Sequence, residues 1–471
     1  MRKIILFELN EVPFRVLDYY ADKYPTSHIA KILEYSKQYE TKTTDEGHLH
    51  PWTTWPTLHR GITNKSHGIK DLGEDLEKID KSYPTIWQIL VQNTVSVGVF
   101  SSLHTYPLPF NIDKYKYYVP DPFAAGFETK PKKIEPFQAF NLMMSRASAR
   151  NVSRKIQIGS GTVLLTTLLR SGVSIQTFYA LAKQLVKERT QPWMTTRRRT
   201  YQSSIAFDIF FDLLKKENPQ FTTFFSNNVA STMHRYWAAT FPEDYAENLL
   251  DEQWHDRYAH EIDFALGELD QMMKKLLNFI ESNPNYKLII ASSMGQAATK
   301  MINLETELTL KNMESFMDAL GFKKEDWEAL PAMHPQYNLK VQTPQVAKDF
   351  EKTLRKLKIQ DNPINYRLKN ELFFSLDLGH VNLKQDFLIY DERKFDLTKF
   401  GLENEKVQEQ AAGTAYHIPE GSLIIYDPKK KTSEKRQTGI DTTQIAPSIL
   451  KNFDVQIPDY MNSQTIEEIA N

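Results

Sequence analysis

Ile4-Ile-Leu-Phe-Glu-Leu-Asn-Glu11 sets five apolar residues in its first six positions and then turns polar. A run this short, bounded by polar residues, reads as a strand buried in a parallel sheet. Arg2 and Lys3 give it the basic start of a secretory signal. Glu8 and Asn10 interrupt the apolar stretch, however, and a signal needs a longer one closed by a small-residue cleavage site. Val95–Phe100, Thr222–Phe225 and Lys287–Ala291 are runs of the same kind. Segments with helical periodicity separate them, Tyr83–Gln92 and Glu261–Ile280, and in the second Ile262, Leu266, Leu269, Met273, Leu276, Leu277 and Ile280 share one face. Strands alternating with helices predict an α/β fold with a mostly parallel sheet flanked by helices. After Asn312 the texture changes: a charged helical stretch, Ala347–Leu357, precedes strand-like pieces at Glu371–Leu376, Gln385–Tyr390 and Gly421–Tyr426.

The chain has 471 residues, 58 Lys+Arg against 59 Asp+Glu, no cysteine and 41% hydrophobic residues. This composition excludes disordered, collagenous and disulfide-stapled classes. Without Cys there is no thiol nucleophile and no Cys-ligated zinc. The near-neutral balance hides an uneven distribution. Gln138–Thr200 holds eleven Lys/Arg and one acid, Glu188, so this segment carries +10 and the remaining 408 residues carry −11. Lying between two sheet strands, it reads as an inserted basic helical cap, residues 138–200, on a core of 1–137 and 201–471. Within it Ile175, Phe178, Leu181, Leu185 and Val186 form an apolar stripe beside Lys183, Lys187 and Arg189. Either the stripe packs on the main domain, or the basic face recruits an anionic substrate or an anionic membrane surface. No recognition motif points to nucleic acid. Val163–Leu169 is too short to span a bilayer, so a cytoplasmic protein is expected, peripheral at the inner membrane face if the cap binds lipid.

Gly61-Ile-Thr-Asn-Lys-Ser-His67-Gly68-Ile69, preceded by Pro51-Trp-Thr-Thr-Trp-Pro-Thr57, resembles the segment after the nucleophile in the alkaline phosphatase superfamily, which includes phosphodiesterases, nucleotide pyrophosphatases and sulfatases. Further segments are similar in the same order. Ile4–Glu11 resembles the strand that ends at a metal-binding Asp, and Thr222–His234 the strand leading into an Asp-x-x-x-His pair. Lys287–Gly295 resembles the strand ending in Ser-Asp-His-Gly, Gly413–Gly421 the last histidine loop, and Asp441–Tyr460 the closing helix. The resemblance spans nearly the whole chain and implies an alkaline phosphatase-like α/β fold.

It also implies two metal ions and a Thr, Ser or modified Cys nucleophile, and here the chain departs from the family. The first Asp position holds Asn10, the Asp of the Asp-x-x-x-His pair falls on Ala230, and the Asp-His pair falls on Ser293-Met294, while His234 and His417 match. Two close divalent cations need anionic ligands to offset their repulsion, so the two-metal centre is expected to be lost and no metal cofactor is expected. A single ion would need Glu8, Glu11 or another acid. Ungapped counting puts the nucleophile on Pro51, so Thr53 or Thr54 serves only after a small shift. His48-Leu-His50 is a weak metal signal. Asp263 and Asp270 read as exposed helix charges, and Arg197–Arg199 as a solvated run or a phosphate grip.

The polar residues at the ends of the strands, where α/β sheets bind ligands, define the expected site. His234, His417, Glu11, Glu8, Thr53 and Thr54 are its catalytic candidates. Asn10, His59, Asn228, Arg235, Ser293, Gln296, Arg197 and Arg198 are its substrate-binding candidates. Three functions follow in order of expectation. The first is a metal-independent transferase that uses His/Glu acid–base chemistry on a nucleotide- or lipid-phosphate-activated sugar, as in glycan biosynthesis. The second is a metal-dependent phosphodiesterase or phosphatase, with a divalent metal as cofactor, and the third a non-catalytic binding protein with a degenerate site.

Overall fold

A computed structural model describes residues 1–147, 166, 168–247, 249–407 and 411–471. An eight-stranded sheet forms its centre, in the order Gln437–Asp441, Lys37–Lys42, Glu420–Tyr426, Tyr286–Ala291, Lys3–Leu9, Phe221–Ser226, Val97–Phe100, Tyr117–Val119. Glu420–Tyr426 runs against both its neighbours, and every other pairing is parallel. This is the mostly parallel α/β class that the alternating pattern and the ordered motifs imply, and all four apolar runs lie in the sheet.

The first strand shows how the layers form. Successive side chains point to opposite faces, so Ile5, Phe7 and Leu9 enter one core with the helices Arg198–Glu217 and Glu261–Ser282. Ile4 and Leu6 enter the other, with Trp55, Leu58, Ile86 and the helix Ile445–Asn452. Each fully buried side chain of this size contributes about 1.5–3 kcal/mol. On helix Glu261–Ser282 the expected apolar face is buried throughout. Asp263 and Asp270 are buried too, contrary to expectation: Asp263 pairs with Lys23 at 2.8 Å, and Asp270 accepts from the Ile29 amide at 2.8 Å and meets His28 Nδ1 at 3.0 Å.

Leu308–Leu402 buries a third core of its own. Thr306–Leu310 pairs with Leu402–Lys406, which brings the entrance and exit of this region together. Between them lie two four-stranded antiparallel sheets and the helix Pro344–Leu354. Within the basic segment, the described residues form the helices Glu135–Ala147 and Ile175–Thr190 and a 3-10 turn at Pro192–Arg197. The expected apolar stretch Val163–Leu169 falls mostly outside the described residues. No helix among the described residues is long and apolar enough to cross a membrane.

Candidate active site

The first strand ends at Leu9, and Glu11 then adopts a left-handed backbone, φ 59°. That conformation costs a non-glycine residue about 1–2 kcal/mol, and such strain collects where surrounding structure fixes a functional group. It places the Glu11 carboxylate, nearly inaccessible at 2% exposure, between two imidazoles. His234 Nε2 lies 2.9 Å and His417 Nε2 3.3 Å from Glu11 Oε2. His234 comes from the helix Asn228–Thr240, and His417 from the strand Ala415–Ile418, which pairs with Gly295–Ala298. That pairing ends at Gly295, where a Cβ would meet the Glu420 carbonyl of the next strand at 2.2 Å. It sets Gln296 opposite His417, and Gln296 Nε2 donates to Glu11 Oε2.

Both rings are held by their other nitrogen. His234 Nδ1 lies 2.9 Å from the Ala415 carbonyl, and His417 Nδ1 2.6 Å from the Leu49 carbonyl. A carbonyl only accepts, so each Nδ1 carries the proton. In a neutral ring the Nε2 lone pair then faces the carboxylate, which is repulsive. A second proton or a cation between the three groups removes the repulsion. Burial alone would raise the Glu11 carboxyl, but the facing His417 and His234 hold it well below the usual carboxylate range. Burial works against the charged His417 ring, yet Glu11 and the Leu49 carbonyl bring it above its ordinary value.

The same three groups suit one metal ion. Their ligand atoms lie within 4.8 Å of one another, and among the described residues they are the one such group. Ligands about 2.0–2.2 Å from a tetrahedral zinc sit about 3.4 Å apart, close to the spacing seen here. An Nδ1–H donated to a carbonyl is the usual orienting contact of a metal-bound histidine. Among the described residues a second ion finds no such set. Trp55 Nε1 occupies Asn10 Oδ1 at 2.8 Å, Ser293 Oγ is bonded to Thr54 Oγ1 at 2.8 Å, and Met294 is fully buried. A single ion was expected to need Glu8, Glu11 or another acid, and of these Glu11 is the one that faces both histidines.

Asn10 acts on Glu11 instead: its Nδ2 donates to Glu11 Oε1 and to Asn227 Oδ1, each at 2.8 Å. Asn10→Ala is therefore expected to weaken ion binding about 10–100-fold, as loss of an orienting partner does, while the bound stoichiometry stays the same in titration calorimetry.

A cavity of about 1660 Å³ opens over these groups. Glu11, His234, His417, Asn10, Thr53, Asn228 and Arg235 of the expected set line it, as do Pro51 and Trp52 in the first turn of the helix Pro51–Arg60. Its far wall comes from the Leu308–Leu402 region, through residues such as His334, Tyr337 and Asp377. Arg235 Nη1 donates to Ser231 at the carbonyl and hydroxyl oxygens. Asn228 is engaged by Ser226 and the Ala265 carbonyl.

Of the other seven expected residues, Gln296 reaches the site through Glu11, and Ser293, Glu8, His59, Thr54, Arg197 and Arg198 lie elsewhere. Glu8 is fully buried against His59, Oε1 to Nε2 at 2.8 Å, in the layer beneath Trp55 and Trp87. Two-residue periodicity puts Glu8 on the face of Leu6, inside the second core, so neither it nor His59 reaches the cavity. Thr54 is inaccessible too, bonded to Ser293. Arg197 is forked onto Glu261 and Arg198 onto Glu188, both as part-buried pairs away from the cavity. Arg199, the third of the run, lines it instead. Other contributors not anticipated are Asn227, Trp55 and Tyr416, whose ring lies 6.0 Å from that of His234. His50 also lines the cavity, stacked on Trp52 at 4.5 Å. Burial first, and His417 second, lower its pKa to about 4, so it stays neutral and outside the Glu11 group.

Comparison with known proteins gives structural likenesses alone: no family model and no curated protein matches the chain. The fold is similar to murine ectonucleotide pyrophosphatase/phosphodiesterase 5, with a TM-score of 0.42 and 10% identity over 97% of this chain and 96% of that one. It is similar to the human form at 0.41 and 10%, over 98% and 97%. A TAB5 alkaline phosphatase mutant with bound Mg gives 0.38 and 11%, over 97% and 100%.

Proposed function

We propose that this chain is a phosphoester-processing enzyme of alkaline phosphatase-like architecture that works with one divalent ion instead of two, held by Glu11, His234 and His417. One observation carries the reading. Two imidazoles, each with its Nδ1 proton committed to a backbone carbonyl, turn Nε2 onto one buried carboxylate at the edge of a large cavity. An ion bound there supplies Lewis-acid polarisation of a phosphoryl oxygen and a more acidic bound water.

The chain's own groups do the rest. Asn10 and Gln296 fix the carboxylate. The N-terminus of the helix Pro51–Arg60 faces the cavity, and its dipole favours a phosphate there. Thr53, in that first turn and on the cavity wall, is the hydroxyl available as a nucleophile or a phosphate anchor. Arg235 and Arg199 add positive charge to the wall. The test is turnover of p-nitrophenyl phosphate and bis-p-nitrophenyl phosphate by the full chain. Hydrolysis abolished by EDTA and restored by zinc or manganese supports the reading; no turnover of either ester by the metal-loaded protein overturns it.

A second reading has its own support. With both rings protonated, the His234–Glu11–His417 set is an acid–base device that needs no ion. It suits transfer from a nucleotide- or lipid-phosphate-activated sugar, and EDTA-resistant turnover of a nucleotide sugar would favour it.

Proton and ion compete for the same atoms, which fixes a pH dependence. Ion affinity is expected to rise about tenfold per pH unit while one proton is displaced, read by calorimetric titration. Without ion, the sign reverses on the alkaline side. Glu11, depressed when folded, stabilises above its ordinary 4.5 and loses that contribution as pH falls through its folded value. His417, raised when folded, stabilises fully below its ordinary 6.5 and loses that contribution as pH rises through its folded value. Thermal melts of EDTA-treated protein are expected to show this fall at alkaline pH, and added ion to reverse it.

A further inference from the structure

The helix Ile175–Thr190 is built inside out. Ser174 caps it by accepting from the Thr177 amide, and its buried residues are polar: Thr177, Gln184 and Glu188. Thr177 Oγ1 donates to Asp208 at 2.6 Å, Gln184 Nε2 to the Met194 carbonyl at 2.7 Å, and Glu188 receives the Arg198 fork. The apolar residues point the other way, with Ile175 83%, Tyr179 70%, Val186 64% and Leu185 46% exposed. Of the expected stripe, only Phe178 and Leu181 pack partly against the core.

At about 100° per residue, Ile175, Tyr179, Ala182 and Val186 fall within about 40° of one line, opposite Thr177, Gln184 and Glu188. Lys183, Lys187 and Arg189 border the line and are exposed, and so are Leu169 and Arg170 just before the helix. The helix's one acid is Glu188, which is turned inward. A contiguous exposed apolar strip marks an interaction site, and a strip rimmed by cations alone is the pattern of a helix lying in a bilayer interface.

We infer that this face seats the protein on an anionic phospholipid surface, with the apolar strip in the headgroup boundary and the lysines and arginines on the lipid phosphates. Charge complementarity selects lipid over another copy of the chain: each basic residue near such a surface contributes about 1 kcal/mol, whereas two such faces would repel one another. The rest of the chain carries a net negative charge, so the segment 138–200 holds the chain's excess of positive charge. At sixteen residues, about 24 Å, the helix lies on the membrane and does not cross it.

Co-sedimentation of the full chain with phosphatidylcholine vesicles, with and without phosphatidylglycerol, tests this. Binding is expected only with phosphatidylglycerol and is expected to weaken with salt. Ile175→Ser with Tyr179→Ser and Val186→Ser, or Lys183→Glu with Lys187→Glu, should each lower the affinity at least about tenfold. These positions are exposed, so melting temperature should not move. Slowed hydrogen exchange of residues 175–190 on the vesicles would support the same contact. Absence of binding to phosphatidylglycerol vesicles overturns the inference, as does undiminished binding by both variants. So does a wild-type dimer that the triple serine variant dissolves.

Discussion

Glu11→Gln is expected to abolish phosphoester hydrolysis and to lower ion affinity by at least about 100-fold. Loss of a mere orienting partner costs about 10–100-fold, and this variant removes the one carboxylate of the ligand set. The amide nearly preserves size and shape, but it offers one acceptor oxygen where the carboxylate offers two, so one of the hydrogen bonds from Asn10 and Gln296 is lost along with the charge. It also removes the negative charge that raises His417, so the ring should titrate at a lower pH in the variant, visible in the imidazole NMR resonances. A merely structural role for Glu11 would leave that titration where it is. His417→Ala is expected to lose the ion as well, while the Ala415 carbonyl keeps the proton on His234 Nδ1.

His59→Ala should act on stability and leave the site alone. Glu8 and His59 are 0% and 1% exposed, and the second Glu8 oxygen has no hydrogen-bond partner. Removing the ring strands a carboxylate in the core between Trp55 and Trp87, and breaking a buried pair from one side costs about 3–5 kcal/mol. Urea denaturation should show that loss as a lower midpoint with an unchanged slope. Replacing both members, Glu8→Met with His59→Leu, should recover most of it, because a buried pair can be exchanged for apolar side chains of similar volume at little net cost. Ion stoichiometry should be unchanged in either variant.

The two carboxylates show what the sequence made legible. Short apolar runs closing on polar residues marked the parallel strands, since a strand covered on both faces has to be apolar on both. Six motifs in order resemble those of the superfamily, and in that resemblance His234 and His417 match its histidine positions. Two-residue alternation applied strictly to Ile4–Leu9 would have put Glu8 beside Leu6 in the core. Glu11 was legible as a catalytic candidate on a par with Glu8, but not as the partner of both histidines, because its approach to them depends on a left-handed turn just after the strand. Nothing in the residue pattern marks that turn.

The basic segment was harder. Its charge was plain, but charge does not tell which cations are matched. Arg197 and Arg198 meet Glu261 and Glu188 through tertiary contacts of 64 and 10 residues' separation, and Arg199 turns to the cavity. The stripe from Ile175 to Val186 invited the ordinary assumption that apolar faces point inward. Asp208, the Met194 carbonyl and Arg198 attract the polar side of that helix instead.

The most direct test of a one-ion site is the metal content of the purified full chain, measured by inductively coupled plasma mass spectrometry after zinc or manganese loading and dialysis at mildly alkaline pH. One ion per chain is expected, falling to none in Glu11→Gln and in His417→Ala. Two ions per chain, or an ion retained by Glu11→Gln, would contradict it.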